Sequence, residues 1–195
     1  MESQSSVHMP HVGDRAPDFR LATAQGPEVS PADYRGKKNL LLWFSAGLFC
    51  PFCRRNMAQL RRGYDEIRSK DAEILQVTHN TPHEARQYFE RYPLTFPYLC
   101  DAAREAHEAY GLPLGRAPLA ATVKNVATVL ALTVVDKVRG EPTPSLEPTK
   151  RYGGQDSAQA VFLLDRDGIV RAVHTTSSVG GLPPVPELVK GLATL

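Results

Sequence analysis

Asn39-Leu40-Leu41-Leu42-Trp43-Phe44 is a short, unbroken apolar run set between Lys37-Lys38 and Ser45-Ala46-Gly47. It lacks polar alternation, which predicts a strand covered on both faces and hence a sheet layered between helices. Immediately beyond it the apolar period changes. Cys53, Met57, Leu60, Tyr64 and Ile67 recur at intervals of four, three, four and three residues, predicting one helical face that runs from Cys50 to Ile67. The junction between this strand and this helix carries Cys50-Pro51-Phe52-Cys53.

The rest of the chain continues the alternation. Ser30-Pro31-Ala32-Asp33-Tyr34 joins a capping residue to a proline and predicts a single short turn. Glu73–Thr78 reads as a second strand and Pro82–Arg91 as a second helix, so the βαβα order implies parallel strands. Leu94–Leu99 is expected as a short strand, and Asp101–Tyr110 as a helix stopped by Gly111 and Pro113. Val161–Asp165 and Ile169–Val173 flank Arg166-Asp167-Gly168, a hairpin signal, before a closing helix near Pro186–Leu192.

Residues 115–154 break this rhythm. There Leu119, Val123, Val126, Ala127, Leu130, Val134 and Val138 keep helical spacing, predicting an inserted amphipathic helix followed by a proline-stiffened connection. Its apolar stripe is expected to pack on its own domain, with a homodimer or another protein partner as the alternative.

A length of 195 residues suits one domain, expected over 13–195 after a flexible tail at 1–12. With 42% apolar and 23% charged residues, a largely disordered chain is excluded. The formal net charge of +2 supplies no argument for nucleic acid or for an anionic membrane surface. The longest nearly apolar run, Val126–Val135, is about half the length of a membrane span. The first ten residues lack a basic, then apolar, leader pattern, and three cysteines are odd in number and few for a secreted disulfide framework. These features predict a cytoplasmic protein.

The chemistry concentrates at the two closely spaced cysteines. Free amide hydrogens and the dipole at a helix start favour thiolate over thiol, bringing such cysteines to pKa values of roughly 3.5–7.5 instead of about 8.5. Cys50 at the cap is expected to be the attacking thiolate and Cys53, on the buried face, the resolving thiol. Pro51 sits where its missing N–H costs nothing. A zinc site would need a further ligand pair, and only Cys100 and six scattered histidines remain, so neither metal nor cofactor is expected. His79 and His83 straddle Asn80-Thr81-Pro82 and read as loop histidines, Cys100 as a core thiol, and the arginines of the first helix as a solvated face.

Several stretches resemble the peroxiredoxin-like branch of the thioredoxin superfamily known as alkyl hydroperoxide reductase/thiol-specific antioxidant proteins. They are Gly13-Asp14-Arg15-Ala16-Pro17-Asp18-Phe19, Asp33-Tyr34-Arg35-Gly36-Lys37, Phe96-Pro97-Tyr98-Leu99-Cys100-Asp101 and Phe162-Leu163-Leu164-Asp165-Arg166-Asp167-Gly168. The resemblance implies an α/β, thioredoxin-like fold with a central mixed β-sheet flanked by helices. Against that family's P-x-x-x-T-x-x-C pattern, Ala46 takes the proline position, Cys50 the threonine position and Cys53 that of the peroxidatic cysteine. Gln159 stands where the family holds an arginine, and Ala160 where thioredoxins and glutaredoxins carry a cis-proline, which predicts an ordinary trans peptide there.

Cys-Pro-Phe-Cys itself is similar to the thioredoxin and glutaredoxin dithiol. The resemblance therefore implies thiol–disulfide exchange at Cys50 and Cys53, with Pro51, Phe52, Arg54, Arg55, Gln159 and Ala160 around them. The substrates implied are a protein or small-molecule disulfide, and the electron donor a thiol such as thioredoxin, glutaredoxin or glutathione. One alternative is a hydroperoxide reductase with Cys53 peroxidatic and Cys50 resolving. Another is a non-enzymatic redox sensor or protein-binding module.

Overall fold

The computed structural model describes residues 8–112, 114–116, 155–157, 159–176 and 181–195. A small antiparallel pair, β1 (Leu21–Ala22) and β2 (Glu28–Val29), precedes a 3-10 turn at Pro31–Tyr34. There follow β3 (Asn39–Ser45), α1 (Pro51–Arg62), α2 (Tyr64–Arg68), β4 (Ala72–Thr78), α3 (Pro82–Arg91), β5 (Tyr98–Cys100) and α4 (Glu105–Ala109). After these come β6 (Leu114–Arg116) and β7 (Gln155–Ser157), which pair antiparallel, then β8 (Gln159–Leu164), β9 (Val170–Thr176) and α5 (Val185–Leu192).

Five strands form one sheet in the order β5-β4-β3-β8-β9. β3 runs parallel to β4 and antiparallel to β8, so the sheet is mixed, as the family resemblance implies. All seven residues of β3 are buried, because it is the middle strand and both its faces are covered. Alternation along the strand divides the core in two. Leu41 and Trp43 face the layer that holds Cys53, Met57 and Leu60 of α1, Ile67 of α2, and Leu188 and Leu192 of α5. Leu40, Leu42 and Phe44 face the opposite layer with Ala106, Tyr110 and Phe162.

The continuous helix expected from Cys50 to Ile67 is two helices. Gly63 separates α1 from α2, and a Cβ placed on it would lie 2.5 Å from Val185 Cγ1 of α5. The glycine at the break leaves room for the close approach of a distant helix, which the apolar period does not show. The strand expected at Leu94–Leu99 is Tyr98–Cys100, and the helix expected from Asp101 starts only at Glu105. There the chain turns through Arg104, whose φ of 67° interrupts helical geometry.

The helix expected at Pro82–Arg91 and the hairpin expected at Arg166-Asp167-Gly168 are present, and side chains next to those signals hold them. Thr81 and Glu84 close a reciprocal cap on α3, with Glu84 N donating to Thr81 Oγ1 (3.3 Å) and Thr81 N to Glu84 Oε2 (3.0 Å). Asp165 Oδ1 accepts the amides of Asp167 and Ile169, both at 2.9 Å, and shapes the β8–β9 turn in which Gly168 adopts φ 77°. The inserted helix with its Leu119, Val123, Val126 and Leu130 stripe, and residues 1–7 of the tail, lie outside the described residues. Of the remaining tail, Pro10 is buried and Met9 packs against the second core layer.

Candidate active site

The sheet presents the carboxyl ends of β3 and β4 side by side, and the chain leaving β3 turns through Ala46–Phe49 into α1. Cys50 is the N-cap of that helix, in extended geometry (φ −86°, ψ 114°), and its carbonyl accepts the first helical bond from Arg54 N at 3.1 Å. Its sulfur accepts the Cys53 amide at 3.3 Å, the role a serine or aspartate oxygen plays at an ordinary cap. Pro51 at the first helical position has no amide to satisfy.

Both thiols are reduced and buried, Cys50 at 7% exposure and Cys53 at 1%. Their acidities separate. The Cys50 thiol is pulled below its ordinary value chiefly by a hydrogen bond from the Cys53 thiol, against the opposing effect of burial, with help from the amides of Cys53 and Phe52 and from the Arg54 charge. Cys53 is pushed well above the usual thiol value, first by burial and then by its neighbour Cys50. The amides of Ala46 and Gly47 oppose that rise by pointing hydrogen-bond donors at its sulfur. Cys50 is thus the more acidic of the two thiols, and Cys53 holds the proton that stabilises the Cys50 thiolate when it forms.

Arg54 is buried at 8% exposure, and its Nε has no hydrogen-bond partner among the described residues. It is not part of a solvated face, unlike Arg55, which is exposed. Phe52 is half-buried against the helical core layer. Gln159 is fully buried beneath α1, where its Oε1 accepts from Trp43 Nε1 (3.3 Å) and Asn56 Nδ2 (3.1 Å). Ala160 pairs with Phe44 and belongs to the opposite core layer from Cys53. Its peptide is trans, since the described residues include no cis bond. Cys100 is buried, and burial, with Arg86 and Glu84 acting in opposite senses, pushes its thiol up to about 12, consistent with a core role.

Sequence reasoning missed Asn80. Its Oδ1 accepts the Leu48 amide (2.9 Å) and the Tyr98 hydroxyl (2.7 Å), and so fastens the loop that aims Ala46 and Gly47 at Cys53. Also missed is a buried polar cluster on the far face of the sheet. His107 Nδ1 lies 2.6 Å from Asp101 Oδ2, the His79 and His107 rings stack at 3.9 Å, and Arg104 Nη1 approaches His79 at 3.1 Å. Burial drives His79 down to about 3 and lowers His107 despite its carboxylate. His79 lies in the loop between β4 and α3, as expected, and is a packed neutral ring there; His83, expected in the same loop, is in the first turn of α3. The local signal in Thr78-His79-Asn80-Thr81 is turn chemistry alone, since the residues that bury it arrive from other segments.

A five-stranded mixed sheet with paired cysteines capping the helix after its central strand defines a thioredoxin-like α/β protein. The chain belongs to the AhpC/TSA family, whose pattern matches residues 12–173. The thiol-disulfide oxidoreductase ResA of Geobacillus thermodenitrificans is 35% identical over 102 residues, covering 52% of this chain and 58% of its own length. The peroxiredoxin Bcp of Escherichia coli is 27% identical over 100 residues, 51% of this chain and 64% of its own. The chain thus spans less than two thirds of either relative's length. The peroxidoxin BcpB of Mycobacterium tuberculosis superposes with a TM-score of 0.66 at 17% identity, covering 96% of this chain and 99% of that one. AhpC of the same organism gives 0.66 at 18% identity, covering 94% and 92%. Among the described residues, no helix is long and apolar enough to cross a membrane.

Proposed function

We propose that this chain is a thiol–disulfide oxidoreductase in which Cys50 attacks and Cys53 resolves. The observation that carries the reading is the opposite displacement of the two acidities, with a thiol–thiol hydrogen bond between them, at a helix start capped by the Cys50 sulfur. The Cys50 thiolate attacks a disulfide R–S–S–R, forming a Cys50–S–S–R bond and releasing one thiolate. Cys53 loses its proton and attacks the Cys50 sulfur, closing the Cys50–Cys53 disulfide and releasing the second thiolate. Two electrons pass from the dithiol to the substrate, and the protons left by the two cysteines balance the two thiols formed. Ala46 and Gly47 amides support Cys53 at the moment it ionises. Arg54 supports the Cys50 anion.

Substrates are protein or small-molecule disulfides, and a thiol donor of the thioredoxin, glutaredoxin or glutathione kind restores the dithiol. The cytoplasm, whose thiol pool is reducing, is the compartment that suits this cycle. Residues 13–195 act as one domain, with 115–154 inserted into it. The ResA relative bears the name of this activity, and the Bcp relative that of a peroxiredoxin.

Single-cysteine variants test the assignment. The parent dithiol should consume one small-molecule disulfide per chain and release two thiols. Cys53→Ser should stop at a mixed disulfide after releasing one, and Cys50→Ser should release none. If Cys50→Ser instead reduces one hydroperoxide per chain while Cys53→Ser does not, Cys53 is the attacking sulfur and the protein is a peroxidase.

A further inference from the structure

Away from the dithiol, His8, His11 and Asp14 each present one ligand atom, and the three atoms all lie within 4.8 Å of one another. We propose that these side chains form a surface site for a divalent transition cation, with zinc as its natural occupant. Two imidazoles and a carboxylate are the donor set that suits zinc, with solvent completing the tetrahedron. Bonds of about 2.0–2.2 Å place tetrahedral donors roughly 3.4 Å apart. His11 Nδ1 and Asp14 Oδ2 are already 3.7 Å apart, and the His8 and His11 rings stack with centroids 5.6 Å apart. All three side chains are exposed, so a rotamer change closes the remaining gap at little desolvation cost.

The backbone beneath them is held at both ends. At one end the His8–Met9 backbone rests on Gly111, where a Cβ would lie 2.5 Å from Met9 N. At the other, Gly13 N donates to Val170 O (2.8 Å) and Val170 N to Asp14 O (2.9 Å). Between these anchors Asp14 N donates to His11 O (3.1 Å) and His11 N to Asp14 Oδ2 (2.8 Å), a turn that Gly13 permits with φ 100°. The ligands thus stand on a folded loop, which lowers the ordering cost of binding. A bound cation would tie His8, His11 and Asp14 to one another across this loop.

The test uses the untagged protein, with cobalt(II) as the probe and the sulfur-to-cobalt charge-transfer band as the marker of any competing thiolate. One equivalent should bind per chain with d–d bands and no sulfur-to-cobalt charge transfer, and zinc should displace it. His8→Ala and His11→Ala should each weaken binding at least tenfold, and zinc should raise the Tm of the parent but not of these variants. Absence of saturable cobalt binding, or unchanged affinity in either histidine variant, overturns the site.

Discussion

Asn80 accepts the Leu48 amide at 2.9 Å, and by that bond a residue following β4 sets the path of the loop that enters the dithiol helix from β3. The same oxygen takes the Tyr98 hydroxyl, so one side chain joins three segments at the carboxyl edge of the sheet. Asn80→Ala leaves a buried hydroxyl and an amide without their acceptor. It should lower stability by about 1–3 kcal/mol, read from urea denaturation, and prolong the mixed disulfide in exchange assays. Equal mixed-disulfide lifetimes in parent and Asn80→Ala would remove Asn80 from the site.

The hydrogen bond from the Cys53 thiol is the largest influence lowering Cys50. A hydroxyl can replace that donor and a methyl cannot. The pH midpoint for alkylation of Cys50 should therefore be lower in Cys53→Ser than in Cys53→Ala. Identical midpoints would leave the amides and the Arg54 charge as the activating groups.

Arg54 is the weakest of the influences named on Cys50. Arg54→Met, which retains the buried stem, should raise the Cys50 midpoint, but by less than Cys53→Ala does. Arg55→Met, at an exposed position, should leave it within error of the parent. A larger shift from Arg55 than from Arg54 contradicts the placement of the guanidinium.

His79 holds a folded pKa of about 3 against an ordinary 6.5, so across that interval the unfolded chain binds a proton that the folded chain excludes. Stability should then fall as pH drops from 6.5 towards 3, by up to about 1.4 kcal/mol per pH unit for this one proton. His107, also lowered, acts in the same sense, and Asp101, held below its usual range by His107 bonds that outweigh burial, adds to the loss at the acid end. His79→Phe should flatten the slope between pH 6.5 and 5 in denaturation midpoints. An unchanged slope would mean that the ring is charged in the folded protein.

Much of the architecture was legible because its causes are local. The apolar run at Leu40–Phe44 required two covered faces, Pro82 marked a helix start, and Arg166-Asp167-Gly168 marked a hairpin. The spacing of Cys50 and Cys53 put one sulfur at the helix cap and the other on the buried face. Sequence also placed Cys100 in the core and the peptide before Ala160 in the trans form.

What tertiary structure alone decided are the interactions whose partners lie far apart along the chain. Gly63, at the break between α1 and α2, is closely approached by Val185 of α5, and Arg54 is buried although its helical position reads as solvated. Asn80 reaches Leu48 and Tyr98, Gln159 reaches Trp43 and Asn56, and His79 stacks on His107. Periodicity and capping report only forces between near neighbours in the chain. Burial and charge at a given side chain depend on which strands come to lie side by side, and that order, β5-β4-β3-β8-β9, follows from no local pattern.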